Sequence, residues 1–132
     1  MRNIQTHRVG EGSDLNNLIS VCANERDESG GSHIYRIEFR SDDVDDEGDR
    51  VEGVGYEIRF QKGPLKEVGH VNGVSDEALL AIVKDRLEGF QTGPFSCQEN
   101  GLAIANIDIA LEYLGERTKD RQARGVEGKS EA

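Results

Sequence analysis

Hydrophobic and polar residues alternate in two segments of the N-terminal half, HIYRIEFR at residues 33–40 and VEGVGYEIRFQ at residues 51–61. One face of the first segment is formed by Tyr35, Ile37 and Phe39, and Ile34 lies on the other face with the charged residues. The apolar face of the second segment is formed by Val54, Tyr56, Ile58 and Phe60. A period of two is typical of a strand with one buried face. We predict that these segments form an antiparallel hairpin and that LNNLISVCA, residues 15–23, is a further strand. Residues 1–14 show no clear period, and no element is predicted there.

Apolar residues recur at helical spacing in the C-terminal half. Ser75 has the character of an N-cap, and DEALLAIVKDRLEGF, residues 76–90, is predicted to be the helix that follows it. Gly-Pro pairs occur in FQKGP, residues 60–64, and in FQTGP, residues 90–94. Because Gly-Pro interrupts regular backbone, the first pair is predicted to end the second strand and the other to end this helix.

A second, longer helix is predicted after FQTGP. Ser96 and Glu99 have the spacing of a capping box, and Gly125 is a suitable stop after Arg124. The apolar residues form two stripes: Leu102, Ala105, Ile109 and Tyr113 in one, and Ile104, Ile107, Leu111 and Leu114 in the other. We expect the helices to form an antiparallel hairpin. The longer helix should overhang its partner, and the overhang includes Tyr113, Leu114, Arg117, Arg121 and Arg124. The N-terminal sheet, a second protomer or both must cover it, and we favour a contribution from a second protomer.

These elements predict an α+β protein, with a small N-terminal antiparallel β-sheet followed by a C-terminal antiparallel helical hairpin whose second helix is long. The expected divisions are the sheet region at residues 1–64, the hairpin at 65–126 and a polar tail at 127–132. The chain has 132 residues, with no Trp, four Phe and three Tyr. So few large side chains make a thin core, which favours oligomerisation.

The charge balance narrows the classes of partner. The net charge is -10, from 26 acidic and 16 basic residues, which argues against a duplex nucleic acid. A compact anion is still possible, because screening acts over about 8 Å and a local arginine cluster can bind it. Cys22, Cys97 and the three histidines are scattered, so neither a metal site, a structural disulfide nor a cofactor is predicted.

Residues 42–49 hold six acidic side chains around one glycine. The position of this glycine and the absence of a terminal glutamate do not fit an EF-hand, so a solvated hairpin tip is the favoured interpretation. The N-terminal MRNIQTHRVG lacks an apolar signal region, and no segment has the length of a membrane span. We therefore expect a soluble cytoplasmic protein.

Five residues are candidates for binding a ligand. Arg117, Arg121 and Arg124 share one face of the long helix, and their planar guanidinium groups can hold phosphate oxygens bidentately. The structural alternative is that they complement the helix C-terminus, with Arg124 paired to Asp120, and the residues alone favour it. Phe90 and Asn100 lie at the hairpin tip, where the ring can stack on a base and the amide can hydrogen-bond. Core and surface roles are the alternatives for these two.

The tip and the arginines lie about 25 Å apart along the helix, because 17 residues separate Asn100 from Arg117. They cannot share a pocket within one chain. If two hairpins pack antiparallel, the tip of one meets the arginines of the other, and a composite site follows. No GxSxG, HExxH or phosphate-loop motif is present, and His7, His33 and His70 are isolated, so a catalytic role has little support.

The stretch from EVGHVNGV to ERTKDRQARGVEG, residues 67–128, resembles the helical hairpin of phage anti-Thoeris sponge proteins of the first type described. The most specific strings are VNGV, DRLEGFQTGPFSCQEN and ERTKDRQARGVEG, and the strand region with GGSHIY and FQKGP is similar more loosely. Related anti-CBASS sponges share the hairpin but generally lack such a sheet. The resemblance therefore favours the anti-Thoeris branch.

This resemblance implies a non-catalytic protein of the host bacterial cytoplasm, encoded by a phage or prophage. It would bind and sequester glycocyclic ADP-ribose, the cyclic ADP-ribose isomer made by TIR-domain enzymes of Thoeris immunity. Some members also bind the cyclic di- or trinucleotides of CBASS at a separate site, and members assemble as dimers or as hexamers built from dimers.

By this resemblance, the expected ligand contacts are Phe90 stacking on the base, Asn100 as a polar contact, and Arg117 and Arg121 on the phosphates. Arg124 fits by position alone. His70 departs from the expected loop string, in which Gly69 would run straight into VNGV. Two other functions remain open: a structural or assembly hairpin module without a small ligand, and an enzyme that hydrolyses the nucleotide.

Overall fold

The structure, a computed structural model, describes residues 1–8, 15–40, 45–49, 53–126 and 128–129. The strands are β1 (Arg2–Ile4), β2 (Ile19–Ala23), β3 (Ile34–Phe39) and β4 (Val54–Arg59), and a 3-10 turn, Leu15–Leu18, precedes β2. The helices are α1 (Leu65–Val68), α2 (Asp76–Gln91) and α3 (Gln98–Ala123). The predicted α+β class is confirmed. The chain forms two compact units, Met1–Phe60 and Gln61–Ala132.

The four strands form one antiparallel sheet in the order β1-β2-β3-β4. The predicted hairpin of β3 and β4 is confirmed, with Ile37 opposite Tyr56. The prediction for residues 15–23 is only half right, because the strand begins at Ile19 and the asparagine pair before it lies in the 3-10 turn. β1 was not predicted, because three residues are too few to show a period.

The register places the apolar residues of neighbouring strands on one face of the sheet. One cross-strand row contains Ile4, Val21, Ile37 and Tyr56. Of the described apolar residues, Ala23 alone is fully buried, and Tyr56 is 57% exposed. The aromatic pairs Tyr35–Phe60 and Phe39–Tyr56 add contacts at 5.4 and 6.0 Å between ring centroids. The first unit therefore has the thin core that the composition indicated.

The turn between β2 and β3 is held by a polar cluster around Asp27. The Asp27 carboxylate accepts hydrogen bonds from the hydroxyl and the backbone amide of Ser29, and His33 Nε2 lies 2.7 Å from it. The hydrogen bonds from Ser29, with a smaller contribution from His33, lower the pKa of Asp27 to about 2. His33 thus has a structural partner that the sequence did not indicate.

The second unit begins with a segment in which the sequence predicted only a loop. One-turn helix α1 follows Pro64 and ends at Gly69, whose φ is 86°. α2 begins as predicted, since Ser75 Oγ accepts a hydrogen bond from the amide of Ala78 at 3.1 Å. It ends at Gln91, one residue beyond the predicted end.

The predicted capping box of α3 is wrong. The N-cap is Cys97, and its side chain makes no capping hydrogen bond. Gln91 supplies the restraint instead: its Oε1 accepts from the Cys97 amide at 3.0 Å and its Nε2 donates to the Cys97 carbonyl at 2.9 Å. This two-point contact fixes the residue from which α3 starts.

The C-terminal end of α3 confirms Gly125 as the stop. Gly125 has a φ of 73°, and its amide donates to the carbonyl of Gln122 at 3.0 Å. The amide of Val126 donates to the carbonyl of Arg121 at 3.0 Å. These bonds form a Schellman motif, which requires a left-handed residue at the position of Gly125.

α2 and α3 form an antiparallel pair. Lys84 Nζ lies 2.6 Å from an Asp108 carboxylate oxygen, and this hydrogen bond raises the pKa of Lys84. Arg117 reaches Glu77, in the first turn of α2, at 3.9 Å. The Arg117 side chain therefore reaches back to the start of α2, and α3 continues beyond Arg117 to Ala123. Among the described residues, no helix is long and apolar enough to cross a membrane.

The two predicted stripes of α3 have different environments. Ile104, Ile107, Leu111 and Leu114 are half-buried, whereas Leu102, Ala105, Ile109 and Tyr113 are exposed. We call the second set the exposed stripe; its three large side chains are 49–68% exposed. α2 and α3, both described in full, contain no buried residue. The hairpin thus covers only one of its two apolar stripes.

We expect acid to destabilise the first unit through Asp27. Because the folded pKa of about 2 lies below the ordinary 3.8, the stabilisation is complete above about pH 4 and is lost as the pH falls toward 2. Hydrogen exchange of the β2 and β3 amides across this range should show the loss, and Asp27→Asn should flatten the profile. Glu28→Gln, an exposed acid in the same turn, is the matched control. Equally steep profiles in wild type and Asp27→Asn would contradict the assignment.

Candidate ligand-binding site

Phe90 and Asn100 come together at the tip of the hairpin, as predicted from their positions at the helix ends. Phe95 connects them: its ring meets Phe90 edge-on with centroids 6.5 Å apart, and its carbonyl accepts a weak hydrogen bond from Asn100 Nδ2 at 3.4 Å. Phe95 itself is 73% exposed. The tip is therefore an aromatic and amide cluster, and Phe95 is a member that the sequence analysis missed.

Arg86 adds a positive charge to this cluster. Its guanidinium carbon lies 4.9 Å from the centroid of the Phe90 ring, in cation–π geometry. The spacing of four residues between Arg86 and Phe90 on α2 was the signal that could have revealed this pair. Because the guanidinium covers one face of the ring, an aromatic ligand must stack on the opposite face or displace Arg86.

The three arginines at the other end of α3 make different contacts. Arg117 has the longest ion pair, 3.9 Å to Glu77, and its side chain is 58% exposed. Arg124 Nε donates to Asp120 at 3.0 Å, which is the structural pairing that the sequence also allowed. Arg121 Nη2 donates to the backbone carbonyls of Val126 at 3.0 Å and Lys129 at 2.9 Å. Arg117 is therefore the arginine with the weakest internal contact described.

The structure of one chain keeps the two groups apart. Phe90, Phe95 and Asn100 lie where α2 ends and α3 begins, while Arg117 pairs with the first turn of α2. An α-helix rises about 1.5 Å per residue, so Asn100 and Arg117 lie about 25 Å apart. The two groups of predicted site residues therefore lie at opposite ends of the hairpin within one chain.

The loop before α2 is held by Asn72 of the VNGV string. Its side chain accepts from the amide of Lys62 and donates to the carbonyl of Lys62, both at 2.8 Å, and its own amide donates to Gln61 Oε1 at 2.8 Å. Gln61 Nε2 also donates to the carbonyl of His70 at 3.3 Å. These bonds tie VNGV to FQKGP, a pairing that the sequence did not indicate, and they involve the backbone of His70 rather than its ring.

The described contacts of His7, His33 and the acidic residues at 45–49 do not assign them to a binding site. His7 Nε2 lies 2.8 Å from the carbonyl of Ile19, and His33 is held by Asp27. The predicted acidic hairpin tip lies partly outside the described residues. Within it, Asp45, Glu47 and Asp49 have carboxylates within 4.8 Å of one another, but all three residues are exposed. Exposed acidic groups commonly approach one another without an ion, so we assign no metal site.

Comparison with known proteins places the hairpin in a family. Residues 52–119 match the family described as Acb2/Tad1, hairpin domain, which is more than half of the chain. The chain therefore belongs to the Acb2/Tad1 hairpin family, and the predicted recognition is confirmed. Phe90, Asn100 and Arg117 lie inside the matched residues, whereas Arg121 and Arg124 lie beyond them.

One curated relative is Thoeris anti-defense 1 of Bacillus phage SBSphiJ7, which is 47% identical over 74 residues. The match covers 56% of this chain and 51% of the relative, so the chain spans about half the length of the curated relative it matches.

We expect Gln91→Ala to loosen the start of α3, because both of its hydrogen bonds to Cys97 are lost. The free energy of unfolding should fall by about 1 kcal/mol, as the loss of an uncharged side-chain hydrogen bond typically costs. Urea denaturation followed by circular dichroism measures the change. Gln98→Ala, an exposed glutamine in the first turn of α3, is the matched control. Equal losses for the two variants would show that the contact contributes nothing specific.

Proposed function

We propose that this chain is a non-catalytic phage anti-defence protein. It binds glycocyclic ADP-ribose, the signal of Thoeris immunity, in the host cytoplasm and keeps the signal from its effector. The observation that carries the proposal is the distribution of chemistry along the hairpin: an aromatic and amide cluster at one end and arginines at the other. Family membership and the name of the phage relative support the same assignment.

The residue types suit the chemistry of the ligand. A cyclic ADP-ribose isomer carries a purine-derived base and a pyrophosphate with two negative charges. Phe90 would stack on the base, and stacking contributes about 1–3 kcal/mol per base. Asn100 would bond a base edge or a ribose hydroxyl. Arg117 and Arg121 would hold the phosphates through charge-assisted hydrogen bonds, each of which contributes about 1.5–3 kcal/mol.

A second copy of the chain would complete the site by packing on the exposed stripe. In a two-fold symmetric dimer, every contact between the protomers occurs twice: if residue i of the first contacts residue j of the second, residue j of the first contacts residue i of the second. The midpoint between Asn100 and Arg117 falls at Asp108 and Ile109, and Ile109 belongs to the exposed stripe. A two-fold axis there would bring Asn100 of each protomer to Arg117 of the partner. Two equivalent composite sites per dimer follow, and such dimers can build a hexamer.

Sequestration needs tight binding and no bond cleavage. The ring of His7 contacts the backbone carbonyl of Ile19, and the ring of His33 contacts Asp27, both in the first unit. These contacts are consistent with a binding protein that returns its ligand unchanged. Binding of cyclic di- or trinucleotides is supported by the family resemblance alone. Each of these nucleotides should therefore be tested separately in the capture assay.

Capture and release distinguish the candidate functions. The protein is incubated with glycocyclic ADP-ribose, separated from unbound ligand and then heated. Recovery of intact, active signal from the heated protein is the expected result. Loss of the signal would instead identify an enzyme, and failure to retain any would favour a structural hairpin module.

We expect Arg117→Ala and Phe90→Ala each to weaken capture by about tenfold or more, because each removes an interaction of the size given above. The oligomer should stay intact, because neither residue belongs to the exposed stripe. Calorimetry measures the affinity and gel filtration the assembly. Lys119→Ala, an exposed cation in the same turn as Arg117, is the matched control. Wild-type affinity in both variants would show that the site lies elsewhere.

A further inference from the structure

The chain beyond α3 folds back onto Arg121. The Schellman motif places Val126 beside the last turn of the helix, and Gly128 continues the reversal with a φ of 76°. As a result, two hydrogen bonds join Arg121 and Val126. The Arg121 carbonyl accepts from the Val126 amide, and the Arg121 guanidinium donates to the Val126 carbonyl. The carbonyl of Lys129 receives a second bond from the guanidinium. We call the carbonyls of Val126 and Lys129 the tail carbonyls.

Both of these guanidinium bonds leave from the same nitrogen, Nη2. A guanidinium has two planar forks for a phosphate or carboxylate: one pairs Nε with Nη2, and the other pairs Nη1 with Nη2. Nη2 carries two hydrogens, and the tail carbonyls accept both. Neither fork of Arg121 is therefore complete while the tail is closed.

We propose that the tail carbonyls compete with the ligand phosphate for Arg121, so that the C-terminal tail acts as an autoinhibitory latch on the binding site. The nature of the ligand rests on the proposed function above, whereas the latch rests on the contacts of Arg121. Binding through a fork requires the tail to open. The apparent dissociation constant is then the intrinsic constant divided by the fraction of open chains.

The tail has a specific closed position that a small substitution can disturb. A Cβ built on Gly128 would lie 2.8 Å from Cγ and 3.0 Å from Cδ of Lys66, which is closer than carbon atoms approach without movement. The positive φ of Gly128 adds strain for any residue with a side chain. Because Lys66 is exposed and its side chain can move aside, the strain of the positive φ is the main cost. Gly128→Ala should therefore shift the tail toward the open state without deleting residues.

The test compares the full chain with two opened variants, Gly128→Ala and a truncation after Gly125. Binding of inorganic pyrophosphate and of glycocyclic ADP-ribose is measured by calorimetry, and helicity by circular dichroism. We expect both variants to bind about threefold to tenfold more tightly, because Nη2 regains its charge-assisted bonds to phosphate. Gly30→Ala, which places the same strain on a positive-φ glycine of the first unit, should leave affinity unchanged. Unchanged or weaker binding by Gly128→Ala at wild-type helicity would overturn the latch.

A measurement without ligand separates the latch from the proposed function. In the full chain, the Arg121 side-chain NH groups should show restricted rotation and slow exchange by NMR, and truncation after Gly125 should abolish both. Free rotation in the full chain would refute the latch even if the signal is captured. Failure of every variant to retain the nucleotide would refute the proposed function. It would not refute the contact between Arg121 and the tail carbonyls if NMR has verified that contact.

Discussion

The helical hairpin cannot cover both apolar stripes of α3, and the inferred assembly depends on this constraint. Two helices share one contact line, so Ile104, Ile107 and Leu111 are half-buried while the exposed stripe is left on the other side. Leu102 and Tyr113 are 55% and 68% exposed. Exposed apolar surface of this kind favours association, because its burial removes apolar area from water. We infer that a second copy covers the stripe, and the half-sites at its two ends then meet in pairs.

Four arginines at the two ends of the hairpin have internal partners. Arg86 covers Phe90, Arg117 reaches Glu77, Arg121 bonds the tail carbonyls and Arg124 bonds Asp120. Binding of an anion would therefore exchange partners, and the affinity would be the difference between the old and new contacts. Among the three arginines of α3, Arg117 would be the first to exchange, because its 3.9 Å ion pair is the longest of their described contacts.

The sequence predicted those features that depend on local periodicity. The alternation in β3 and β4, the N-cap at Ser75 and the stop at Gly125 are local, and all are confirmed. β1 was missed because three residues show no period, and the start of α3 was misplaced because Gln91, seven residues before Gln98, fixes Cys97. Pairwise contacts across the fold are not encoded in any one segment.

The candidate site was also predictable only in part. Phe90 and Asn100 could be placed together because both flank a helix break, whereas Arg86 and Phe95 were missed because their contacts depend on side-chain directions around that break. The partner of Arg121 was beyond prediction, because it depends on the fold of the tail. A site that needs two chains could be proposed only from the distance between its halves.

Mixed dimers test the composite site most directly. One protomer carries Phe90→Ala and the other carries Arg117→Ala, and dimers holding one of each are isolated through two affinity tags. With composite sites, both substitutions fall in one site and the other site is intact. At a signal concentration too low to occupy the weakened sites of either variant alone, mixed dimers should therefore capture about one signal molecule each. If each site lies within a single chain, every site carries a substitution. Mixed dimers that capture no signal would contradict the composite site.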